Sequence, residues 1–370
     1  MNPDPATPTS LEEGLSTLHH EIPWPAHPFF APPRRPDTEP WLIISGPSRM
    51  GNHLLLSLLD GHPQLPDSPG EDGFLSFGFQ AALKDPDGFL DGLRRSGGVF
   101  LRQFAANEKF DKWQTYADHA RAGRIGASPS GVGTSEIPAV FDYRGPGASI
   151  DFEAFEKTLS EKLSERRPDS MAVVLRLYVR ALATLMPTNP HKRNKRYDAV
   201  ICHSGMRVQA LWALNAFPSA RLAAILRPFE TYAPSHHRSR RRGRALDDQG
   251  LEEAWSHWRS KIADYATIKR VFPDRVRLLS YHDLVEATEP AMRALALALG
   301  LDWDACLTRA TLGGRPTGGN ASDGRAEACG PRGIYGKGDI LAERFMPTEA
   351  ASIWQGLVPL FDYVRAERGA

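Results

Sequence analysis

The residues best suited to chemistry lie in the stretch 43–56, which reads IISGPSRMGNHLLL. An apolar strand is followed by a G-x-x-x-x-G turn, from Gly46 to Gly51, and then by an apolar helix. Such a turn directs backbone N–H groups and the positive end of a helix at one point, which favours an anion. Glycines let the backbone turn tightly and approach a ligand. The stretch therefore predicts a phosphate loop, although turns that bind nothing share this glycine spacing.

The loop lacks the side chains that Mg-nucleotide chemistry requires. In an ATP-hydrolysing loop the second glycine is followed by Lys, which reaches the β- and γ-phosphates, and by Ser or Thr, which holds Mg²⁺. Asn52 and His53 occupy these positions. Arg49 supplies instead a permanent cation that can donate two hydrogen bonds to a phosphate without a metal. Mg-ATP chemistry is therefore disfavoured.

This opening resembles that of the sulfotransferases that use 3′-phosphoadenosine 5′-phosphosulfate (PAPS). In that family P-[KR]-S-G-T-T-L-L runs on to L-L-D-x-H-P, and residues 58–63 here read LLDGHP. The resemblance implies that the loop binds the 5′-phosphosulfate of the donor and needs no metal. The residues implied in this contact are Arg49, Met50, Gly51, Asn52 and His53.

The loop departs from the family pattern at several positions. Pro47 is shifted by one residue, Met50 replaces Ser, and Asn52 and His53 replace two Thr. Asn and His side chains can still donate hydrogen bonds. The site is therefore expected to be altered but retained.

A second motif, AILRPFETYAPSH at residues 224–236, resembles the family's 3′-phosphate site. There a strand ends in Arg and a Ser follows eight residues later, and Arg227 and Ser235 have this spacing. An Arg at a strand end and a Ser two turns into the next helix can converge on one phosphate. The alternative is a strand-terminal Arg paired with a carboxylate.

Two further segments resemble the family in the same order along the chain. Residues 217–221, FPSAR, lead into the strand that ends at Arg227. Residues 279–285, LSYHDLV, place Tyr281 where family members have a tyrosine near the adenine ring, although His282 replaces the usual Glu. Tyr281 is therefore implied in binding the nucleotide.

A late loop completes the resemblance. Residues 331–337, PRGIYGK, resemble the family's R-K-G-x-x-G loop, which implies that Arg332 and Gly333 close over the 3′-phosphate. The resemblance covers residues 41–71 and 198 to about 340 and fails between them.

Sulfuryl transfer needs a base for the acceptor proton, an in-line arrangement and a cation for the leaving phosphate. Arg49 is implied as that cation. The first candidate for the base is Glu71, since relatives acting on tyrosine or sugars carry a catalytic Glu in a similar G-E segment. The second is His203, where cytosolic relatives read K-T-H-L-P and use the His. The alternatives are that Glu71 is an exposed loop carboxylate and that His203 is a structural histidine.

The elements that position these residues follow from hydrophobic periodicity. Each predicted strand leads into a predicted helix: 41–45 into 51–59, 199–202 into 207–216, 221–226 into 230–237, and 276–280 into 290–299. This alternation predicts an α/β fold of three layers, with a mainly parallel sheet, a P-loop-like phosphate site and a largely helical insertion.

The chain divides into a proline-rich N-terminal arm, residues 1–40, and a single sulfotransferase-like domain, residues 41–370. Trp24, Phe29 and Phe30 are expected to anchor the arm to the domain.

The insertion spans about 75–197. Within it, 152–163 and 171–185 have helical periodicity, and an insertion of this kind usually builds a substrate pocket or lid. A helical subdomain with no part in the chemistry is the alternative. Residues 252–271 predict a packing helix.

Composition narrows the partners and the compartment. With 45 basic and 44 acidic residues the formal net charge is +1, which gives no global signal for nucleic acid or an anionic membrane. The three cysteines lack disulfide-framework or zinc spacing. No stretch approaches a membrane span and the N-terminus has no secretory pattern, so a cytoplasmic protein is expected. The oligomeric state cannot be read from these residues.

The function expected is transfer of a sulfuryl group from PAPS to a hydroxyl or amine of a sugar or small-molecule acceptor, releasing adenosine 3′,5′-bisphosphate. A sugar or small-molecule acceptor is expected because the segment around Glu71 resembles that of carbohydrate- and tyrosine-directed relatives more closely. A Mg-nucleotide-dependent small-molecule kinase and a non-catalytic nucleotide-binding relative are the alternatives.

Overall fold

The computed structural model describes residues 27–32, 39–47, 49–66, 75, 78–105, 152–165, 168–185, 192–204, 207–240, 248–312, 315–316 and 348–361. The main strands are β1 (Trp41–Gly46), β2 (Ala199–Ser204), β3 (Arg221–Leu226) and β4 (Val276–Ser280). The helices are α1 (Asn52–Asp60), α2 (Phe79–Lys84), α3 (Pro86–Ala105), α4 (Phe152–Glu165), α5 (Met171–Leu185), α6 (Arg207–Ala216), α7 (Phe229–Arg240), α8 (Asp248–Val271), α9 (Tyr281–Glu286), α10 (Thr288–Leu299) and α11 (Thr348–Leu357). A short antiparallel pair joins β5 (Thr311–Leu312) to β6 (Arg315–Pro316).

The four main strands form one parallel sheet in the order β2-β1-β3-β4. Most of their described residues are apolar and buried, as expected for a parallel sheet covered on both faces. Alternate residues of β1 enter different hydrophobic clusters: Trp41 and Ile43 lie in one, and Leu42 and Ile44 in the other. The sheet is therefore the middle of three layers.

Helices cover both faces of the sheet. α1, α9 and α10 contribute to the cluster that contains Leu42 and Ile44. The other cluster is formed by α5, α6, α7 and α8 together with α2, α3 and α4. The predicted α/β class, the parallel sheet and its three layers are confirmed.

The carboxyl end of β1 is the switch point of the sheet. The chain passes from β1 to β2 on one side and later returns to β3 on the other side of β1. Helices that follow these strands leave in different directions, which opens a crevice at the carboxyl edge. The phosphate loop begins at this point.

The four strand and helix units predicted from periodicity are present, with boundaries shifted by a few residues. The fourth unit differs, since the short α9 precedes the predicted helix. The packing helix is also present as α8, which buries Trp258, Ile262 and Tyr265 on its inner side.

Helices α2 and α3 were not predicted. The sequence of α3 contains Gly88, Gly92, Gly97 and Gly98, and glycine has low helix propensity. Gly97 has a φ of 51° and kinks α3. Beside it, a Cβ on Gly98 would lie 2.4 Å from the Glu156 carbonyl oxygen, so close packing on α4 requires glycine there.

The described helices of the insertion share the core of the sheet. Phe79 of α2, Phe155 of α4 and Tyr178 of α5 belong to the same buried cluster as Trp41 and Ile43. Within the described residues, the insertion therefore packs as part of one body with the strands. No described helix is long and apolar enough to cross a membrane.

The segment before β1 is anchored by two buried phenylalanines. Phe29 and Phe30 are each 1% exposed, and Phe30 packs edge-on against Phe79 and Trp212. Trp212 Nε1 also donates to the Phe30 carbonyl at 2.9 Å. Trp24, the third predicted anchor, lies outside the described residues.

Replacement of Phe30 by Ala is expected to lower the free energy of unfolding by about 3–5 kcal/mol, because it opens a cavity between α2 and α6. Urea denaturation would measure this change. Val99→Ala, at a side chain that is 49% exposed, serves as the control and should change stability by less than about 0.5 kcal/mol. Equal effects of the two changes would contradict the anchoring role of Phe30.

Candidate active site

The backbone of the loop between β1 and α1 has two residues in the left-handed region. Arg49 has a φ of 70° and Gly51 a φ of 118°. A Cβ on Gly51 would lie 2.9 Å from Cδ2 of Tyr281 and 3.1 Å from Cδ1 of Ile225. Both conformation and space therefore require glycine at this position. Arg49 is a non-glycine residue in a costly conformation, which is a frequent feature of functional sites.

Met50 does not present its side chain to a ligand. It is fully buried in the cluster that contains Ile43, and its Sδ accepts a hydrogen bond from the Arg227 N–H at 3.3 Å. Only the backbone of Met50 is available to line the loop. The side chain joins the loop to the end of β3.

Arg227 lies immediately after β3, and its side chain is almost completely buried (3% exposed). Its guanidinium carbon stacks 4.1 Å from the centre of the Tyr281 ring. Its Nη1 donates to the Arg49 carbonyl at 3.4 Å, and Trp258 Nε1 donates to the Arg227 carbonyl at 2.7 Å. The cation is thus held in a fixed position before any ligand binds.

The residues predicted for the two phosphates of the donor meet in the structure. Arg49 Nε donates to Ser235 Oγ at 3.2 Å, and the Arg227 guanidinium contacts the backbone carbonyl of the same Arg49. Ser235 is 1% exposed and lies in the second turn of α7. Two guanidinium groups and a hydroxyl therefore form one cluster at the carboxyl edge, which can bind a doubly phosphorylated ligand.

Tyr281 packs against one side of this cluster. It is 6% exposed, Arg227 covers one face of its ring, and Gly51 packs against its edge. In the structure Tyr281 therefore positions Arg227 and Gly51. The predicted contact between Tyr281 and adenine stays a prediction.

The structure describes the side chain of neither candidate base. Glu71, Arg332 and Gly333 lie outside the described residues. For His203 and His53 the backbone alone is described: His203 is paired with Ser45 near the carboxyl ends of β2 and β1, and His53 is the second residue of α1. The end of β2 thus lies next to the phosphate loop.

The sequence analysis did not predict a group of ionisable residues that lies beside the end of β2. Asp264 lies 3.5 Å from Arg207 Nε and 3.4 Å from Lys261 Nζ. Burial raises the pKa of Asp264, and the two cations oppose this rise. Next to Asp264 on α8, the Tyr265 hydroxyl hydrogen-bonds Ser45 Oγ at 2.7 Å. The pattern of large apolar residues in α8 predicts a packing helix and does not indicate these polar contacts.

The basic run at 236–244 begins in the interior of the protein. His236 and His237 are each 5% exposed, within α7. His236 stacks on Tyr232 and on His257, and the Tyr232 hydroxyl is 2.5 Å from His257 Nδ1. The contacts of His236 and Tyr232 with His257 therefore pack α7 against α8. Among the described residues, no group of three or more His, Cys, Asp or Glu is arranged to hold a metal ion.

The family of this chain is shown by comparing its sequence with models of protein families. The model of the sulfotransferase family matches residues 40–305, which is well over half of the chain. This chain belongs to the sulfotransferase family. Transfer of a sulfuryl group is the activity by which that family is defined, and the phosphate loop, β3 and α7 all lie inside the matched range.

Three solved structures similar to this chain carry the name sulfotransferase. The sulfotransferase domain of an olefin synthase from Synechococcus is 18% identical, with a TM-score of 0.43, and the match covers 75% of this chain and 79% of that one. A sulfotransferase domain of the curacin biosynthetic pathway is 15% identical, with a TM-score of 0.45, covering 87% and 98%. A sulfotransferase of Mycobacterium tuberculosis is 15% identical, with a TM-score of 0.37, covering 80% and 75%. Among curated protein sequences, none matches this sulfotransferase.

One carboxylate of the site was not predicted. Burial raises the pKa of Glu230 in the first turn of α7, while its own backbone N–H and the charges of His282 and Arg227 oppose the rise. Because the folded state prefers the protonated form, the contribution of Glu230 to stability is complete below pH 4.5 and is lost as the pH rises through its raised pKa.

Glu230→Gln keeps the shape and removes the charge. The free energy of unfolding of this variant, measured in urea, is expected to rise relative to that of the unmodified protein as the pH increases above 4.5. Glu289→Gln, at a largely exposed carboxylate paired with Arg293, is the control. A pH-independent difference for Glu230→Gln would contradict a buried carboxylate at this position.

Proposed function

We propose that this sulfotransferase uses PAPS as the donor and transfers its sulfuryl group to a hydroxyl or amine of a sugar or small-molecule acceptor. The observation that carries the proposal is the contact of Arg49 with Ser235 and Arg227. Adenosine 3′,5′-bisphosphate, the product, has two phosphates on one ribose. A cluster with two cations and a hydroxyl matches that charge distribution, whereas a single phosphate would leave one cation unused.

The strand order supports a direction for the bound donor. Arg227 and Tyr281 follow β3 and β4, and the loop with Arg49 follows β1. A nucleotide held at β3 and β4 with its 5′ end at β1 points its sulfuryl group toward β2. The acceptor then approaches over the end of β2, where His203 lies.

The chemistry requires no metal in this proposal. PAPS supplies an activated sulfuryl group on a good leaving phosphate. Arg49 neutralises the bridging oxygen as the S–O bond breaks, and Arg227 holds the nucleotide in line. Glu71 or His203 takes the acceptor proton as the new O–S or N–S bond forms.

The acceptor class is proposed by analogy. The Glu71 segment resembles that of carbohydrate- and tyrosine-directed relatives, which favours a sugar or small-molecule hydroxyl. Two other functions remain as outcomes of the tests below. Mg²⁺-dependent ATP turnover would favour a kinase, and nucleotide binding without any sulfate transfer would favour a non-catalytic relative.

Arg227→Ala and Ser235→Ala are expected to weaken binding of adenosine 3′,5′-bisphosphate by about ten- to a hundredfold, because each removes a donor to the 3′-phosphate. Isothermal titration should also show that AMP binds the unmodified protein more weakly than the bisphosphate does. In Arg227→Ala this difference should largely disappear.

The control is Arg275→Ala, which removes a guanidinium stacked on Phe272, 4.5 Å from its ring centre, at the opposite edge of the sheet. It is expected to change stability and leave the affinity for the bisphosphate intact. Equal binding of AMP and the bisphosphate by the unmodified protein would refute PAPS as the donor.

The base is identified by comparing Glu71→Gln with His203→Gln in transfer of labelled sulfate from PAPS to a panel of sugars and small hydroxyl compounds. Loss of the base is expected to lower kcat by about a hundred- to ten-thousandfold with unchanged affinity for the bisphosphate. Glu71→Gln is expected to have the larger effect. A larger loss in His203→Gln would assign the base to His203.

A further inference from the structure

The side chain of Asn52 spans the phosphate loop instead of pointing out of it. Asn52 is the first residue of α1 and is 6% exposed. Its Nδ2 donates to the Gly46 carbonyl at 2.8 Å and lies 3.5 Å from the Pro47 carbonyl. The two hydrogens of one amide group are thus shared between the last carbonyl of β1 and the first carbonyl of the loop. The start of α1 is tied in this way to the end of β1.

These two contacts fix the orientation of the Asn52 amide. With oxygen and nitrogen exchanged, an acceptor would face two carbonyl oxygens and no hydrogen bond could form. In the orientation found, Oδ1 is buried and accepts no hydrogen bond from any part of the chain that the structure describes. An acceptor without a donor is unfavourable in the interior.

Gly46 is matched to this amide in size. A Cβ on Gly46 would lie 2.2 Å from Oδ1 and 3.1 Å from Cγ of Asn52. The Asn52 amide cannot rotate away without losing its contacts to the carbonyls. Glycine is therefore required at this position by the space that Asn52 occupies, whereas at Gly51 the backbone conformation also requires it.

We propose that Asn52 is the positioning residue of the phosphate loop. By drawing the carbonyls of Gly46 and Pro47 toward its own amide, it keeps their negative ends away from a bound anion. It also closes the turn in which Arg49 and Gly51 adopt left-handed conformations. Both amide hydrogens serve the loop, so Asn52 donates nothing to the ligand. The identity of the anion rests on the proposed function.

The residue that resembling sequences carry here, Thr, would act differently. A Thr hydroxyl has one hydrogen and can hold one carbonyl, whereas the Asn52 amide reaches two. The replacement of Thr is thus a change in how the loop is closed. Arg49 and the backbone N–H groups are left as the donors to the anion.

The first test is the affinity for adenosine 3′,5′-bisphosphate, measured by isothermal titration. Asn52→Ala is expected to weaken it by about tenfold, and Asn52→Thr, which keeps one donor, by less. Gln64→Ala is the matched control, because Gln64 is an equally buried amide that bridges to Asp302 at 2.9 and 2.8 Å, beyond the far end of α1. Gln64→Ala should lower the melting temperature and leave the affinity within about twofold. Equal affinity losses in the two alanine variants would overturn the proposal.

The second test is a double-mutant cycle with Gly46→Ala. Alone, Gly46→Ala is expected to weaken binding by at least about tenfold, because its methyl group displaces the Asn52 amide. Combined with Asn52→Ala it should add little, since the clashing oxygen is gone. Additive effects would show that the two residues act independently and would overturn the proposal.

Amide hydrogen exchange separates failure of this role from failure of the proposed function. If the unmodified protein binds no bisphosphate, the function is wrong, but Asn52 can still be tested. The Met50 N–H donates to the Pro47 carbonyl and the Leu55 N–H to the Gly51 carbonyl, at 3.2 and 3.1 Å. Both amides should exchange faster in Asn52→Ala and not in Gln64→Ala. Unchanged exchange in Asn52→Ala would overturn the positioning role.

Discussion

The contact between the end of β3 and the phosphate loop is the interaction on which the rest of the site depends. Arg227 donates its backbone N–H to Met50 Sδ and its guanidinium to the Arg49 carbonyl. A thioether is a weak acceptor, so this contact needs the complete burial that the core provides. Because the strand and the loop are joined here, the Arg49 side chain reaches Ser235. Core packing and ligand geometry are therefore not separable at this edge of the sheet.

The strands could be predicted from the sequence because a parallel sheet covered on both faces is written as short, uninterrupted apolar runs. Helix α3 could not be predicted because its glycines oppose helix formation locally, and α2 is only six residues long. Those helices exist because Phe79 and Phe89 pack against Phe29, Phe30 and their neighbours. Such contacts join residues that are distant in sequence, and a periodicity argument does not contain them.

At the site, residue types and spacing predicted that Arg227 and Ser235 converge, and in the structure each of them contacts Arg49. The same reasoning placed Met50 and Asn52 in contact with the ligand, with Asn52 as a hydrogen-bond donor. The structure turns Met50 into the core and Asn52 onto loop carbonyls. Which way a loop side chain points depends on the packing behind the loop, and that information lies in β3 and α9, far along the chain.

The position of β1 in the sheet also determines when the loop can acquire its shape. β1 is made early, yet its hydrogen-bonding neighbours are β2 and β3, so that Ile43 pairs with Ile201 and with Leu222. Closing such long stretches of chain slows folding. During synthesis, the loop cannot adopt its final shape until β2 and β3 have been made, when more than half of the polypeptide has emerged. The geometry of this edge therefore depends on the joining of three strands that are made at different times.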